Sequence, residues 1–292
     1  MSTADDSEAW TIRRVLTWAA DDLKKRGSGS PRLDAELLLA RILRIDRIGL
    51  IIDAERPLAK LELARYRELH QRRRAGEPVA YLLGTREFYG RPFLVDRRVL
   101  IPRPETEHLV EVGLTRTRHL SLSARTLDLC TGSGCVAISL ARERPTTRVL
   151  AADISADALA VAAENVLRLG AYNVGLLCSD LFSALQRGRD RFDLITANPP
   201  YIAEGDVPTL PVDIRAYEPR IALTSGPEGL DTMRTLVAEA PAFLARGGVL
   251  AVEIGAEQGQ AVRGLFADAG LEEIVVGRDY AGQDRNVSGS RP

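Results

Sequence analysis

The first part of the chain carries apolar residues at every third or fourth position, a spacing that places them on one face of a helix. In the opening stretch these positions are Ile12, Val15, Leu16, Ala19 and Leu23. Gly27-Ser28-Gly29 interrupts the pattern, and Ser30 followed by Pro31 is typical of the cap and first turn of a second helix. Further helical patterns cover residues 33–43, 48–52 and 58–74. The pattern therefore predicts a small helical bundle over residues 1–77.

The last of these helices has an apolar side and a basic side. Leu61, Tyr66 and Leu69 are predicted to face inward, and five arginines are predicted to face outward. They are Arg65, Arg67, Arg72, Arg73 and Arg74. Such a stretch is typical of a solvated helix face, and also of a surface that docks a charged protein or RNA. The sequence slightly favours the solvated face and leaves the docking surface open.

Two short apolar runs with a glycine between them follow the helical part. Glu87-Phe88-Tyr89 and Pro92-Phe93-Leu94-Val95 flank Gly90, which predicts a β-hairpin. Next, Ile101-Pro102-Arg103-Pro104 alternates prolines and predicts a stiff, extended linker. These features divide the chain into a helical domain over residues 1–77, a hairpin and proline-rich linker over residues 78–104, and a larger domain over residues 105–292.

From Thr126 onward, strand-like apolar runs alternate with helical patterns. Strands are predicted to begin near Thr126, Arg148, Val174, Phe192, Gly248 and Ile274, and helices near Gly134, Ser155, Gly229 and Gln258. This alternation predicts an α/β fold in which a mostly parallel sheet carries helices on both faces. Ile274-Val275-Val276 and Asn286-Val287-Ser288 predict a terminal hairpin, which adds an antiparallel edge and completes a sheet of seven strands.

Composition indicates the class of protein and its compartment. Of the 292 residues, 45% are hydrophobic and 27% are charged, and the formal net charge is -1. That charge gives no general attraction to nucleic acid or to an anionic membrane. No apolar stretch of the sequence is long enough to span a bilayer, and the acidic residues 1–8 resemble neither a signal peptide nor a transit peptide. We expect a monomeric, cytoplasmic protein without a membrane partner.

The three cysteines are Cys130, Cys135 and Cys178. They are too few for a disulfide framework, and the spacing of the first two is unlike that of a zinc knuckle. All three lie in apolar strand or helix-start contexts. We therefore expect buried, reduced thiols and no metal site.

A glycine-rich turn follows the first strand of the larger domain. It runs Asp128-Leu129-Cys130-Thr131-Gly132-Ser133-Gly134 and leads into a helix, and its glycines let a ligand approach the backbone closely. Asp153 and Asp180 end the next two strands, with Leu181 beside the latter. A carboxylate before the turn repels a pyrophosphate but suits a cationic ligand, Asp153 suits ribose hydroxyls, and Asp180 with Leu181 suits an adenine. Together they favour S-adenosylmethionine over NAD.

Asn198-Pro199-Pro200-Tyr201 directly follows the predicted strand over residues 192–197. The two prolines end the strand because neither donates a backbone hydrogen bond, and they hold the preceding carbonyls in a stiff turn. An amide, two carbonyls and an aromatic ring at the carboxyl end of a strand suit a planar amino or amide nitrogen. A proline-rich turn capped by tyrosine is the alternative, just as each acid alone is typical of a strand end or helix cap.

These motifs resemble those of the peptide chain release factor glutamine methyltransferases, the HemK/PrmC family. Besides the glycine loop and Asn198-Pro199-Pro200-Tyr201-Ile202, the resemblance rests on Glu87-Phe88-Tyr89-Gly90, Ile101-Pro102-Arg103-Pro104-Glu105-Thr106-Glu107, Tyr217-Glu218-Pro219-Arg220-Ile221-Ala222-Leu223 and Gly226-Pro227-Glu228-Gly229-Leu230. It implies a Rossmann-like class I methyltransferase domain. It also implies N5-methylation of the glutamine in the Gly-Gly-Gln motif of class I release factors, with S-adenosylmethionine as donor and S-adenosyl-L-homocysteine as product.

The resemblance assigns roles to individual residues. It implies that Thr131, Gly132, Ser133 and Gly134 line the cofactor, that Asp153 holds its ribose, that Asp180 and Leu181 contact its adenine, and that Asn198 contacts cofactor and substrate. Pro199, Pro200 and Tyr201 would shape the glutamine pocket. We add Asp128 to the cofactor site and take Asn198, Pro199 and Tyr201 as the catalytic set. Two positions depart from the family pattern, because Cys130 stands where glycine is common and Leu181 where some members have an aromatic residue.

The expected chemistry is positioning of a weakly nucleophilic amide. The side-chain oxygen of Asn198 and the carbonyl of Pro199 are expected to accept the two amide hydrogens, while Tyr201 packs on the glutamine side chain. No side-chain general base is expected, because none of the three histidines lies in these motifs. Two alternatives remain open. One is a nucleic-acid methyltransferase acting on adenine N6 or guanine N2, favoured by the arginine-rich helix and opposed by the net charge. The other is a non-catalytic cofactor-binding protein.

Overall fold

The computed structural model describes residues 9–119, 124–279 and 281–292. The acidic start, residues 1–8, lies outside the described residues. The chain forms two compact units. The first contains the described residues up to Gly84 together with Val212–Tyr217, and the second contains Thr85–Pro211 and Glu218–Pro292. This division falls at Gly84, and the separate linker over residues 78–104 stays a prediction.

The first unit is a helical bundle, as its apolar periodicity predicts. Its helices are α1 Ile12–Lys25, α2 Pro31–Leu43, α3 Arg47–Ile52, α4 Lys60–Arg74, α5 Val79–Leu83 and, from later in the chain, α9 Val212–Tyr217. The predicted face of α1 is confirmed, because Ile12, Val15, Leu16, Ala19 and Leu23 are all buried. Leu38 and Leu39 of α2 and Tyr66 of α4 complete the core against it. Neither α5 nor α9 was expected from the sequence.

Two local predictions for this unit are wrong. Ser30 precedes α2 and Pro31 occupies its first turn, but the Ser30 side chain makes no capping bond to the helix backbone. Its hydroxyl instead donates to Asp34 Oδ1 at 2.8 Å. Leu61 is 62% exposed, whereas Tyr66 is buried. Five residues along a helix correspond to roughly 140° around its axis, so these two side chains cannot share one face.

The basic stretch of α4 does not form a row of outward, unpaired charges. Arg73 is only 12% exposed and donates to the buried carboxylate of Asp34 at 2.8 Å, which corrects its predicted outward position. Arg72 pairs with Glu77 at 2.8 Å, and Arg74 pairs with Asp22 at 2.9 Å. These three charges therefore neutralise acids of the same unit. The solvated, internally paired face is the interpretation that the geometry favours.

The second unit begins with the predicted hairpin, formed by β1 Thr85–Phe88 and β2 Arg91–Leu94. Tyr89 and Gly90 make the turn with φ values of 49° and 69°, the positive angles that a tight hairpin connection requires. Phe88 and Phe93 are fully buried, with ring centroids 5.9 Å apart in an edge-to-face arrangement. The hairpin therefore has its own apolar contact with the core.

A seven-stranded sheet forms the centre of this unit, as predicted. Its strands are β3 Arg125–Leu129, β4 Arg148–Asp153, β5 Val174–Cys178, β6 Phe192–Ala197, β7 Leu244–Glu253, β8 Glu272–Arg278 and β9 Asp284–Ser290. Their order is β5-β4-β3-β6-β7-β9-β8. The first five are parallel neighbours, and β9 runs antiparallel to both β7 and β8. The terminal hairpin thus supplies the antiparallel edge.

Helices cover both faces of the sheet because alternate strand residues point to opposite sides. The helices of the second unit are α6 Glu107–Arg116, α7 Cys135–Glu143, α8 Ala156–Arg168, α10 Asp231–Glu239 and α11 Gly259–Asp268. On β6, Ile195 packs into the core formed with α10 and α11, while its neighbour Leu194 packs into the core formed with α6 and α7. Within the described part of the chain, no helix is long and apolar enough to cross a membrane.

The sheet changes winding direction beside β3. The chain moves from β3 to β4 and β5 on one side and then returns to place β6 on the other side of β3. At such a switch point the connections after two adjacent strands leave in opposite directions and open a crevice at the carboxyl ends. The loops after β3 and β6 carry the glycine-rich motif and Asn198-Pro199-Pro200-Tyr201, so both sequence motifs flank that crevice.

Candidate active site

One cavity lies at the carboxyl ends of the parallel strands of the second unit. All the sequence-predicted site residues belong to the described part of the chain. Most of them line this cavity. These are Asp128, Thr131, Gly132, Ser133, Asp153, Asp180, Leu181, Asn198 and Pro200. The other three, Gly134, Pro199 and Tyr201, are not among the lining residues. The strand-end acids and the amide motif are therefore brought together, while the roles of all these residues remain predictions.

Asp128 lines the cavity and connects two of the segments that form it. Its side chain is buried, and its carboxylate accepts hydrogen bonds from the hydroxyl of Thr131 at 2.6 Å and from that of Thr196 at 2.7 Å. Burial raises the pKa of Asp128 to about 6 against the lowering effect of these two hydroxyls. One carboxylate thus joins the glycine loop after β3 to the neighbouring strand β6.

Asp153 holds the glycine loop from the other side. Its carboxylate accepts the backbone N–H of Gly132 at 2.8 Å and that of Ser155 at 2.9 Å, and burial raises its pKa. A carboxylate has about four lone-pair positions, so two such bonds leave room for further donors. Asp153 can accept ligand hydroxyls while it fixes the loop that lines the same cavity.

The backbone angle and close packing of Gly134 explain why the loop ends in glycine. It begins α7 with a φ of 80°, where a Cβ would lie 3.0 Å from the side chain of Ile138 and 3.3 Å from that of Ala162. Only glycine meets both the positive angle and the close packing without strain. Gly134 turns the backbone into α7, and its predicted contact with the cofactor remains a prediction.

Two lining residues hold left-handed backbone angles without being glycine. Cys130 has a φ of 55° and Leu181 a φ of 44°, a conformation that costs L-residues roughly 1–2 kcal/mol. A glycine at position 130 would adopt this φ without strain. Cys135 is buried as expected, but the prediction that Cys178 is buried is wrong, because this residue at the end of edge strand β5 is exposed.

Asn198 is oriented by a residue from the proline-rich motif. Its Nδ2 donates to the hydroxyl oxygen of Thr106 at 3.3 Å, and Thr106 lines the same cavity. With the amide nitrogen held in this way, the side-chain oxygen of Asn198 is the group left to accept a hydrogen from a ligand. Asn198 therefore has the polarity needed to bind an N–H group.

Tyr201 is held in place through its backbone carbonyl. Its carbonyl accepts a hydrogen bond from Gln258 Nε2 at 3.0 Å, and burial raises the pKa of its hydroxyl. Gly229, with a φ of 70°, approaches so closely that a Cβ there would lie 2.3 Å from the Tyr201 carbonyl oxygen. Gly229 and Gln258 thus set the path of the chain after the two prolines.

Several residues of the site were missed by sequence reasoning. Thr106, Thr196, Glu253 and Gln258 all contact or support predicted site residues. Arg103 lines the cavity and pairs with the buried carboxylate of Glu218 at 2.6 Å. The proline-rich motif already contained Arg103 and Thr106, and a single acid at the end of the apolar run before Ile254 was a visible indication for Glu253. Thr196 and Gln258 bond to residues that are distant in the sequence, so no local sequence pattern indicated their roles.

None of the three histidines lines the cavity, and all three lie within the described residues. Across residues 9–119, 124–279 and 281–292, no group of three or more His, Cys, Asp or Glu side chains is arranged to hold a metal ion. The polar groups of the site are carboxylates, hydroxyls, amides and two arginines.

The strand order, the antiparallel edge and a glycine loop at the switch point define a class I methyltransferase fold. Two family models match the chain: a PrmC N-terminal domain over residues 14–84 and a methyltransferase small domain over residues 108–212. A solved methyltransferase from Pyrococcus furiosus, 17% identical, has a TM-score of 0.52 and covers 70% of this chain and 90% of that chain. At that identity the likeness shows the fold alone.

Curated relatives narrow the class to a family. A release factor glutamine methyltransferase of Geobacter sulfurreducens is 44% identical over 282 residues, which is 97% of each chain. That of Vibrio cholerae is 42% identical over 279 residues, or 96% of each chain. The chain belongs to the release factor glutamine methyltransferase family.

Proposed function

We propose that this protein methylates the N5 amide nitrogen of the glutamine in the Gly-Gly-Gln motif of class I release factors, with S-adenosylmethionine as donor and S-adenosyl-L-homocysteine as product. One observation carries the proposal: Asn198 and Pro200 line the same cavity as the glycine loop and the strand-end acids. The residues proposed to hold the methyl donor and those proposed to hold the planar amide therefore lie in one cavity. The names of the full-length relatives support the same substrate.

The lining residues fit S-adenosylmethionine. Gly132 has a φ of 54° and open space where a Cβ would point, so a ligand can approach its backbone. The carboxylate of Asp153 suits the ribose hydroxyls, and Asp180 with Leu181 suits the amino edge and face of adenine. When bound, S-adenosylmethionine supplies a methyl group activated by a sulfonium centre.

The contribution of the protein to the reaction is geometry. A carboxamide nitrogen is a poor nucleophile because its lone pair is delocalised into the carbonyl. The side-chain oxygen of Asn198 and the carbonyl of Pro199 accept the two substrate amide hydrogens, which aims the nitrogen and favours the positive charge that develops on it. Tyr201 packs on the glutamine side chain. The extra proton leaves to water after transfer, without a side-chain base.

A class I release factor is the proposed partner. We propose that the protein binds it as a monomer in the cytoplasm. The nucleic-acid alternative receives little support from the arginines of α4. Arg72, Arg73 and Arg74 are paired with acids of their own unit, so these charges are already partly compensated. We accordingly propose neither nucleic acid nor membrane as a partner.

Transfer of labelled methyl groups tests the proposal directly. Purified release factor, its Gln→Ala variant in Gly-Gly-Gln, and bulk RNA are incubated side by side with the enzyme and labelled S-adenosylmethionine. We expect label in the release factor and in neither of the other two. Label in RNA alone overturns the proposal in favour of a nucleic-acid methyltransferase. Binding of the cofactor without transfer to any of the three indicates a non-catalytic protein.

A further inference from the structure

Glu253 is a buried carboxyl group on the strand next to the one that leads into Asn198-Pro199-Pro200-Tyr201. It ends β7, and only 3% of it is exposed. Strand β7 pairs with β6 so that Val252 lies opposite Ala197, which places the next residues, Glu253 and Asn198, beside each other at the carboxyl end of the sheet. Glu253 does not itself line the cavity, although Asn198 does, and both lie among the described residues.

The side chains of Glu253, Thr106 and Asn198 form one polar cluster. Thr106 and Asn198 both favour the charged form of Glu253 and lower its pKa, and Asn198 Nδ2 donates to Thr106 Oγ1 at 3.3 Å. A threonine hydroxyl has a single hydrogen to donate. If that hydrogen goes to the carboxylate, the hydroxyl oxygen must accept from Asn198, which is the bond observed. An ionised carboxylate that accepts this hydrogen is therefore consistent with the direction of the bond from Asn198 to Thr106.

The surroundings of Glu253 place its ionisation in the working range of an enzyme. Burial is the largest influence and raises the pKa of Glu253 to about 7, while Thr106, Arg285 and Asn198 lower it and Glu105 raises it. Tyr201 and Cys135 are the other titratable groups that interact with it. No described residue forms a hydrogen bond with Glu253 Oε2. The carboxylate therefore keeps an acceptor position for a donor from Thr106 or Asn198.

We propose that Glu253 is a positioning residue whose ionised carboxylate holds the amide nitrogen of Asn198, directly and through Thr106, and so turns Asn198 Oδ1 toward the substrate amide. This inference rests on the proposed function. An ionised carboxylate only accepts hydrogen bonds, so it selects the Asn198 orientation with Nδ2 inward. Asn198 Oδ1 then faces the cavity, where a substrate N–H needs an acceptor.

Protonation of Glu253 removes this selection. A neutral carboxyl group donates one hydrogen bond, which Asn198 Oδ1 can accept once its amide has turned over. The NH₂ group of Asn198 would then face the NH₂ group of the substrate, and two donors do not pair. Methyl transfer is therefore expected to decline as the pH falls through about 7. The effect acts through Asn198, since Glu253 does not reach the cavity.

The test compares pH profiles of kcat for methyl transfer to a release factor. For the unaltered protein we expect kcat to fall about tenfold per pH unit below the pKa of Glu253. Glu253→Gln should lower kcat at least tenfold at pH 8, abolish this limb, and leave cofactor binding and the KM for the release factor nearly unchanged. Glu257→Gln, an exposed site in the loop after β7, removes the same type of charge and should keep the original profile.

A double variant separates positioning from a general structural role. In the Asn198→Ala background, Glu253→Gln should cause no further loss, because the group it positions is absent. An equal loss in both backgrounds, or an unaltered profile for Glu253→Gln, overturns the inference. If Glu253→Gln does not fold, the limb near pH 7 must still be present in the unaltered protein and absent from Asn198→Ala. Lack of any transfer by the unaltered protein refutes the proposed function instead.

Discussion

The carboxylate of Asp128, near the end of β3, accepts a 2.7 Å hydrogen bond from the hydroxyl of Thr196 on the adjacent strand β6. The other oxygen of Asp128 accepts from Thr131 in the glycine loop. Thr196 lies two residues before Asn198. The loop proposed to hold the methyl donor and the turn proposed to hold the acceptor are therefore fixed to one buried carboxylate, and small changes at Asp128 should reach both.

The ionisation of Asp128 should make stability depend on pH. Its folded-state pKa is raised to about 6 from an ordinary 3.8, so between these values the folded state retains a proton that the unfolded state releases. Stability is then lost as the pH rises through this window. Relative to Asp128→Asn, which cannot ionise, the unaltered protein should lose on the order of 3 kcal/mol between pH 4 and pH 7. Urea denaturation across this range measures the difference, and a constant difference contradicts the prediction.

Gly229 is predicted to control the position of the chain after Asn198. Gly229→Ala places a Cβ about 2.3 Å from the Tyr201 carbonyl oxygen, so this carbonyl must move and the turn with it. Gly247→Ala is the matched control, because its φ of 71° is nearly the same and no atom lies within 4 Å of its Cβ position. Both variants should lose roughly 1 kcal/mol of stability from the positive φ. Only Gly229→Ala should also lower kcat, by roughly tenfold or more.

Equal kcat values for these two glycine variants would show that the approach of Gly229 to Tyr201 does not matter for transfer. Cofactor titrations belong in the same experiment. We expect both variants to bind S-adenosylmethionine as the unaltered protein does, because neither glycine lines the cavity and both lie in the described part of the chain.

The sequence predicted those features that depend on local periodicity. The strand-helix alternation was sufficient for the parallel sheet, and the strand-end positions of Asp153 and Asp180 were sufficient to bring them to one cavity, since the carboxyl ends of parallel strands share an edge. The cluster behind Asn198 was not predictable in the same way. It depends on the pairing of β6 with β7, across a separation of more than fifty residues that no local pattern encodes.

The errors have equally specific causes. Leu61 was grouped with Tyr66 by composition although their spacing puts them on different sides of α4. Cys178 ends an apolar run, yet β5 is the edge strand of the sheet and leaves it exposed. Pro199 and Tyr201 belong to the same motif as Asn198, but side-chain direction within a turn depends on backbone angles that the motif alone does not specify. They do not line the cavity, and their proposed roles remain predictions rather than errors.

At position 130 a glycine replacement should be more stable than an alanine replacement. At position 135 the order should be reversed. Cys130 has a φ of 55°, where alanine is strained and glycine is not, so Cys130→Gly should be more stable than Cys130→Ala by about 1 kcal/mol. Cys135 begins α7, where alanine should be the more stable replacement by roughly 0.5–1 kcal/mol. Thermal or urea unfolding of the four variants measures both differences. The same sign at both sites would argue against backbone strain at Cys130.

Asn198→Ala separates substrate positioning from cofactor binding. The variant removes the oxygen proposed to accept a substrate amide hydrogen, and loss of one such preorganised partner costs roughly 100- to 1,000-fold in kcat. The fold should tolerate it, because Asn198 is only half-buried. S-adenosylmethionine should bind with an affinity changed far less, since Asp153 and the glycine loop remain. Turnover within a few-fold of the unaltered protein would remove Asn198 from the mechanism, whereas equal losses in turnover and cofactor affinity would make it a cofactor ligand alone.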